Sequence, residues 1–461
     1  MFSRLPKTPQ QLLSAQRWKT RVVFWSGAVA IGFASAGFAK AAAYVDHIFH
    51  ENIASITWLP LIVTPAGLVL VGWITRNYLR GTEGSGIPQA IAALQSRHEP
   101  HRGALLSFRI AIGKILLTLI GLISGASIGR EGPTVHVGAA IMFSIGRFAH
   151  FPRHDIERGL ILAGSAAGIS AAFNTPLAGI LFAIEEMSKS FEEQTSGTLL
   201  VAVMISGVMA LVVLGNYSYF GTAEATMGQL YDWIAVPVVG VAGGALGGLM
   251  AQILVTGNRR LRPVMATHPL LVAGICGLVV AVAGILSGGS VFGTGYEAAK
   301  HIIDGGQSSY AYPFLKMLAT VASYLSGIPG GIFAPSLSAG AGLGNVISPM
   351  LPGVAPTIVV ILAMVAFFSG VVGTPITAFV IVMEMTSNQT MLLPLMATSF
   401  IAFGVSRIIN PQPIYHALAE AFVWQPPADD SANTEKSDDP HSKVDNSDGD
   451  AESQQATEPR D

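Results

Sequence analysis

Gly129-Arg130-Glu131-Gly132-Pro133 lies within an apolar stretch and puts a carboxylate at the start of a helix. Proline fixes φ and needs no donor in the first helical turn, so the chain turns helical beside Glu131, where free backbone N–H groups point outward. Such an end attracts anions. A lone carboxylate is expensive in hydrocarbon, so an acid that closes over an anion site and leaves it on protonation is a chemically reasonable gate.

The residues around the motif belong to a polytopic membrane protein. Of 461 residues, 51% are apolar and 12% charged, the mean hydropathy is +0.53, and apolar stretches near spanning length recur from about Val22 to about Phe403. Arg4, Lys7, Arg17, Lys19 and Arg21 precede the first stretch, which predicts a cytoplasmic segment over 1–21. No small-residue cleavage pattern follows, so Val22–Ala43 reads as a retained span. A transmembrane domain is expected over 22–425. The tail, 426–461, holds 11 acidic and 3 basic residues, leaving the body with 23 basic and 17 acidic, and its composition predicts disorder. The single cysteine, Cys276, lies in an apolar run and excludes an intramolecular disulfide framework.

Gly and Pro break the body more often than straight spanning helices would allow. Broken helices are tolerated in a membrane where protein or a polar cavity satisfies the freed backbone, which is how transporter sites are built. Three of the breaks recur at nearly constant lag. Gly84-Ser85-Gly86 is echoed by Gly293-Thr294-Gly295, 209 residues on; Gly129–Pro133 by Gly331-Ile332-Phe333-Ala334-Pro335, 202 on; and Thr175-Pro176 with Glu185 by Thr374-Pro375 with Glu384, 199 on. The chain therefore reads as a duplicated unit, with halves of roughly Thr20–Tyr219 and Asp232–Phe422 enclosing a site. Spacing alone leaves open whether the repeat is inverted or parallel. The small-residue run Ser338–Gly344 reads as close helix packing, since no strand precedes it as a phosphate-cradling loop requires.

Gly84-Ser85-Gly86-Ile87-Pro88 opens another helix, with Ser85 either a simple cap or a ligand group. Three Gly-rich, Pro-marked helix starts in one membrane body suggest a shared anion cradle, because neutral dipoles and hydroxyls bind an anion without holding it as a buried Lys or Arg would.

These motifs resemble the CLC family of chloride channels and chloride/proton antiporters. The resemblance runs through Gly84–Pro88, Gly129–Pro133, Ala166-Ala167-Gly168 to Glu185-Glu186, Gly331–Pro335, Glu384-Met385-Thr386 and Pro413-Ile414-Tyr415. It implies an all-α polytopic membrane protein of two oppositely oriented repeats with broken, tilted helices, assembled as a homodimer with a pore in each subunit. It also implies that Ser85 and Tyr415 contact the anion through hydroxyls, that the amides of Ile332 and Phe333 face it, that Glu131 is the gate and outer proton carrier, and that Glu186 is the inner proton carrier. On sequence alone Tyr415 would instead be an interfacial aromatic.

Glu185 and Glu186 stand about 100° apart on a helix, so one is expected on the proton route while the other forms a structural pair, with a structural ion pair for both as the rival reading. An acid at the position of Glu186 resembles the antiporters, with a passive chloride channel as the alternative. Lys114 matches a basic position of the family, and Ser85, where other members have proline, resembles those preferring chloride to nitrate. The partners implied are chloride, protons and membrane lipid. The family's paired nucleotide-binding regulatory domains have no counterpart after Trp424, which makes a bacterial inner membrane the natural location.

Other chemistries have weak signals. Gly125-Ala126-Ser127-Ile128-Gly129 formally fits a nucleophile elbow with His136 nearby, but an elbow needs a preceding strand and a third, acidic partner. His47 and His50 lack a clustered third metal ligand. No basic patch with interleaved aromatics suggests nucleic acid, and no cofactor is expected.

Overall fold

In the computed structural model of the chain, the described residues are 15–149, 154–188, 197–215, 218–223 and 225–423. The chain divides into Met1–Val423 and Trp424–Asp461, and every described helix belongs to the first unit. The expected disordered tail and the first fourteen residues lie outside the described residues.

The described residues form an all-helical body: α1 (Ala15–Phe49), α2 (Pro60–Asn77), α3 (Ile87–Gln95), α4 (Glu99–Leu105), α5 (Phe108–Ile123), α6 (Glu131–Phe148), α7 (His154–Phe173), α8 (Pro176–Phe182), α9 (Gly197–Leu214), α10 (Ala235–Thr267), α11 (Pro269–Leu286), α12 (Tyr296–Ile303), α13 (Tyr312–Leu325), α14 (Phe333–Ile347), α15 (Pro356–Val372), α16 (Pro375–Met385), α17 (Leu392–Ile409) and α18 (Ile414–Ala419). Pro60, Pro176, Pro269, Pro356 and Pro375 each occupy the first position of a helix, where the missing N–H costs nothing.

The helices differ in length and in burial. Among the described residues five helical stretches, Arg21–Ala54, Glu99–Ile123, Leu230–Thr267, Pro269–Leu286 and Gln389–Ile409, are long and apolar enough to cross a bilayer. Several present apolar side chains outward, as at Phe33, Val241, Ile275 and Phe400, which suits a surface bathed in lipid. Two of the others, α6 and α15, lie inside. Residues 358–372 of α15 are all buried, as is nearly all of α6. A helix apolar all round belongs at a core, and here the core leaves room for polar helix starts.

Small residues let these inner helices touch. A Cβ on Gly340 would come within 2.7 Å of the Met364 backbone, and one on Gly344 within 2.5 Å of Val360, so the Ser338–Gly344 run packs α14 onto α15 as expected.

The duplicated motifs form corresponding pieces. Gly86 and Gly295 cap α3 and α12 with φ of 93° and 79°, a left-handed conformation that favours glycine. Behind each loop is a fully buried lysine. Lys114 Nζ donates to the carbonyls of Glu83 and Gly84 at 3.4 and 3.3 Å, and Lys316 Nζ to those of Val291 and Gly293 at 3.0 and 2.9 Å.

The repeated acids act reciprocally. Glu185 accepts from the amides of Ile376 and Thr377 at the start of α16, and Glu384 from those of Leu177 and Ala178 at the start of α8. Each carboxylate fills the anion-seeking end of a helix in the other half. The structural partner expected for Glu185 is thus a helix start and not a basic side chain.

Candidate functional site

Three backbone loops meet at the centre of the body. Gly84 N–H donates to Ile328 at 3.2 Å and Gly330 N–H to Gly84 at 3.1 Å, while Gly129 and Gly331 exchange both of their hydrogen bonds at 2.7 Å. The first-half loops before α3 and α6 are thereby sewn to the second-half loop before α14. The approach is too close for side chains: a Cβ on Gly132 would stand 2.9 Å from Ser85 Cβ and 3.3 Å from Gly331 Cα. Glycine is required here because three main chains share the space.

The start of α14 turns its amides into this junction. Gly331 N–H is used by Gly129, but those of Ile332, Phe333 and Ala334 fall in the first turn, where a helix supplies no acceptor. The Phe333 ring is fixed by Phe368, Phe173, Phe182 and Tyr415 at centroid distances of 4.9, 6.2, 6.3 and 5.8 Å. These contacts hold the amide end still.

Glu131 is completely buried at the first position of α6. Its Oε1 accepts from the Tyr219 hydroxyl at 3.2 Å and lies 3.8 Å from Arg130 Nε, and the Ala334 amide also interacts with the carboxylate. The acid of the α6 start is therefore seated against the α14 start, inside the same cradle.

Ser85 and Tyr415 are also completely buried. Ser85 Oγ, Tyr415 Oη and Glu131 Oε2 have no hydrogen-bond partner among the described residues. Ser85 is consequently not the simple cap that sequence allowed; Gly86 holds the cap position of α3. Tyr415 opens α18, which packs on α3, and is within electrostatic reach of both Glu131 and Glu186. An interfacial place for it is excluded by its burial.

Glu186 is 1% exposed and sits in a π-helical turn, Ala183–Ser188, that continues α8. Such turns are frequent at functional sites. Its carbonyl accepts from His416 Nε2 at 3.0 Å, which ties it to the residue after Tyr415. Neighbouring Glu185 turns away to α16, as the 100° separation requires.

The elbow residues are engaged elsewhere. Ser127 Oγ pairs with Thr320 Oγ1 at 3.1 Å and His136 Nε2 with the Leu105 carbonyl at 2.9 Å. Sequence reasoning did miss Tyr219. It lies in a short link without periodicity, and only the fold brings it to Glu131.

Buried hydroxyls, helix-start amides and a buried acid gathered where broken helices meet are the arrangement of a membrane transport protein. The chain matches the family model for voltage gated chloride channels over residues 67–407. It belongs to that family, the CLC family, and is a multi-pass integral membrane protein with the all-helical CLC fold. Its relatives include the H(+)/Cl(-) exchange transporter ClcA of Vibrio vulnificus, 33% identical with 78% of this chain and 79% of that one aligned. The protein of the same name from Cronobacter sakazakii is 28% identical over 89% of this chain and 91% of its own. Among solved structures, a slow cyanobacterial Cl−/H+ antiporter superposes with a TM-score of 0.77 at 25% identity, covering 88% of this chain and 98% of that one. A CLC-type fluoride/proton antiporter superposes with a TM-score of 0.75 at 22% identity, over 89% and 99%. The last likeness speaks to fold alone.

Proposed function

We propose that the protein exchanges chloride for protons across the membrane through a site in each subunit of a homodimer. The observation that carries this reading is the placement of the Glu131 carboxylate against the α14 start, where its charge takes the position an anion would favour. Charged, the acid competes with chloride for the amides of Ile332, Phe333 and Ala334. Protonated, it loses that attraction and yields the place. Chloride then accepts from the hydroxyls of Ser85 and Tyr415 and from the freed amides, none of which carries a full charge that would trap it. The proton taken up by Glu131 is passed toward Glu186, whose burial beside Tyr415 and His416 suits an inner relay.

Kinship with relatives named as H(+)/Cl(-) exchangers supports chloride as the anion. Liposomes carrying the purified protein and an outward chloride gradient should pump protons uphill. Glu186→Gln should abolish proton pumping and spare chloride flux, while Glu131→Gln should make chloride flux independent of pH. Chloride flux without proton movement in the wild type would mean a passive channel, and fluoride flux far above chloride flux would reassign the anion. Cross-linking in the membrane, with a dimer expected, tests the assembly.

A further inference from the structure

Tyr219 is 3% exposed and is held from four sides. Its ring meets Phe173, Tyr296 and Phe220 edge-on at centroid distances of 5.4, 5.1 and 5.0 Å, and the Arg130 guanidinium stands 6.0 Å from its centre. The backbone beside it is tied down as well, with the Phe220 and Ala223 amides donating to the carbonyls of Met385 and Thr386 at the end of α16. Side chain and main chain are thus both pinned, and the pinned hydroxyl points at one oxygen of Glu131. A tyrosine hydroxyl is a neutral donor, strong enough to favour a carboxylate and weak enough to release it.

We propose that Tyr219 is a positioning residue for the gate: its hydroxyl latches the charged Glu131 side chain in its seat at the α14 start and so sets the pH at which the site opens. This rests on the reading of Glu131 as the gate. The titratable and charged groups facing the carboxylate are Arg130 from its own loop, Tyr219 from the link between α9 and α10, and Tyr415 of α18; α14 contributes only the Ala334 amide. Arg130, at 3.8 Å, makes a longer electrostatic contact than the hydroxyl at 3.2 Å. The latch is released by protonation, because a neutral carboxyl oxygen is a poorer acceptor than a carboxylate oxygen.

The test is the pH profile of chloride flux from liposomes containing the full-length protein. Removing a donor to the charged form makes proton uptake easier, so Tyr219→Phe should move half-maximal flux to higher pH by about 0.5–1 unit. Tyr219→Met should move it the same way. In the Glu131→Gln background, where flux no longer depends on pH, Tyr219→Phe should change nothing. A wild-type profile for Tyr219→Phe, alongside a flattened profile for Glu131→Gln, overturns the latch and leaves the gate intact. A shift for the Met variant without one for Phe also overturns it, by assigning the effect to ring packing. If Glu131→Gln itself keeps the wild-type profile, the gate fails first and the latch with it.

Discussion

Ser85 Oγ, Tyr415 Oη and Glu131 Oε2 are buried polar atoms with no hydrogen-bond partner among the described residues, and such an atom costs a fold about 1–3 kcal/mol. The expense makes sense when a transported ion is the partner, an anion for the two hydroxyls and a proton for the carboxylate oxygen. Function and stability then pull in opposite directions, which gives a prediction with two signs. Ser85→Ala and Tyr415→Phe should each weaken chloride binding roughly three- to tenfold, as the loss of one hydrogen bond of about 1 kcal/mol implies. Without chloride, the same variants should unfold at the same temperature as the wild type or slightly above it, since an apolar group replaces an unsatisfied one. Titration calorimetry and thermal unfolding in detergent read the two effects. Lower stability with unchanged affinity would mean that these hydroxyls are structural. Ser85 and Glu131 were legible in the sequence because glycine and proline bracket them. Tyr219 was not, because nothing in the link around it marks a tyrosine that will face an acid 88 positions away.

Helix starts are the recurring device at the scale of the element, and they are used in two ways. The α14 start faces the site, whereas the starts of α8 and α16 are closed by Glu384 and Glu185 from the opposite half. Their common lag of 199 was visible as a repeat in the sequence, but a cap supplied from another half is a tertiary contact and leaves no local trace. The adjacent acids therefore have separable roles. Glu185→Ala strips two amides of their acceptor and should cost about 1–2 kcal/mol, with Glu384→Ala costing about the same. Both should show as lowered thermal stability in detergent, with proton coupling retained in the protein that folds. Glu186→Gln should do the reverse and leave the unfolding temperature unchanged. Loss of coupling in Glu185→Ala at undiminished stability would assign the proton route to the wrong neighbour. The positive end of a helix is thus closed where a carboxylate of the other half is fixed on it, and under the proposed function it is left for transport where the Glu131 carboxylate moves.

Across the whole molecule, a carboxylate from each half on a helix start of the other is the arrangement that a two-fold relation between halves produces. The lysines behind the Gly-rich loops repeat the relation, and both halves contribute helices long and apolar enough to cross a bilayer. The repeat and the spanning helices were readable from lag and hydropathy. The divergence between the copies was not, because it lies in hydrogen bonds. In the first half Ser85 Oγ has no described partner. In the second, Thr294 Oγ1 accepts from the Tyr296 amide at 3.3 Å, and Ser338 joins the Gly295 carbonyl to Tyr312 at 2.7 and 2.6 Å. Under the proposed function, one loop keeps its hydroxyl for an ion, while its mate closes on itself as scaffold. Equivalent changes should therefore have unequal effects. Thr294→Val should leave chloride flux within about twofold of wild type, its cost confined to about 1 kcal/mol of stability for one lost local bond. Ser338→Ala, which opens the buried chain to Tyr312, should cost more stability, about 1–3 kcal/mol, again with flux per folded molecule preserved. Ser85→Val should instead cut flux severely in a protein that folds normally. Liposome flux normalised to folded protein separates these outcomes, and a severe transport defect in Thr294→Val would mean that the second copy has kept an ion site of its own.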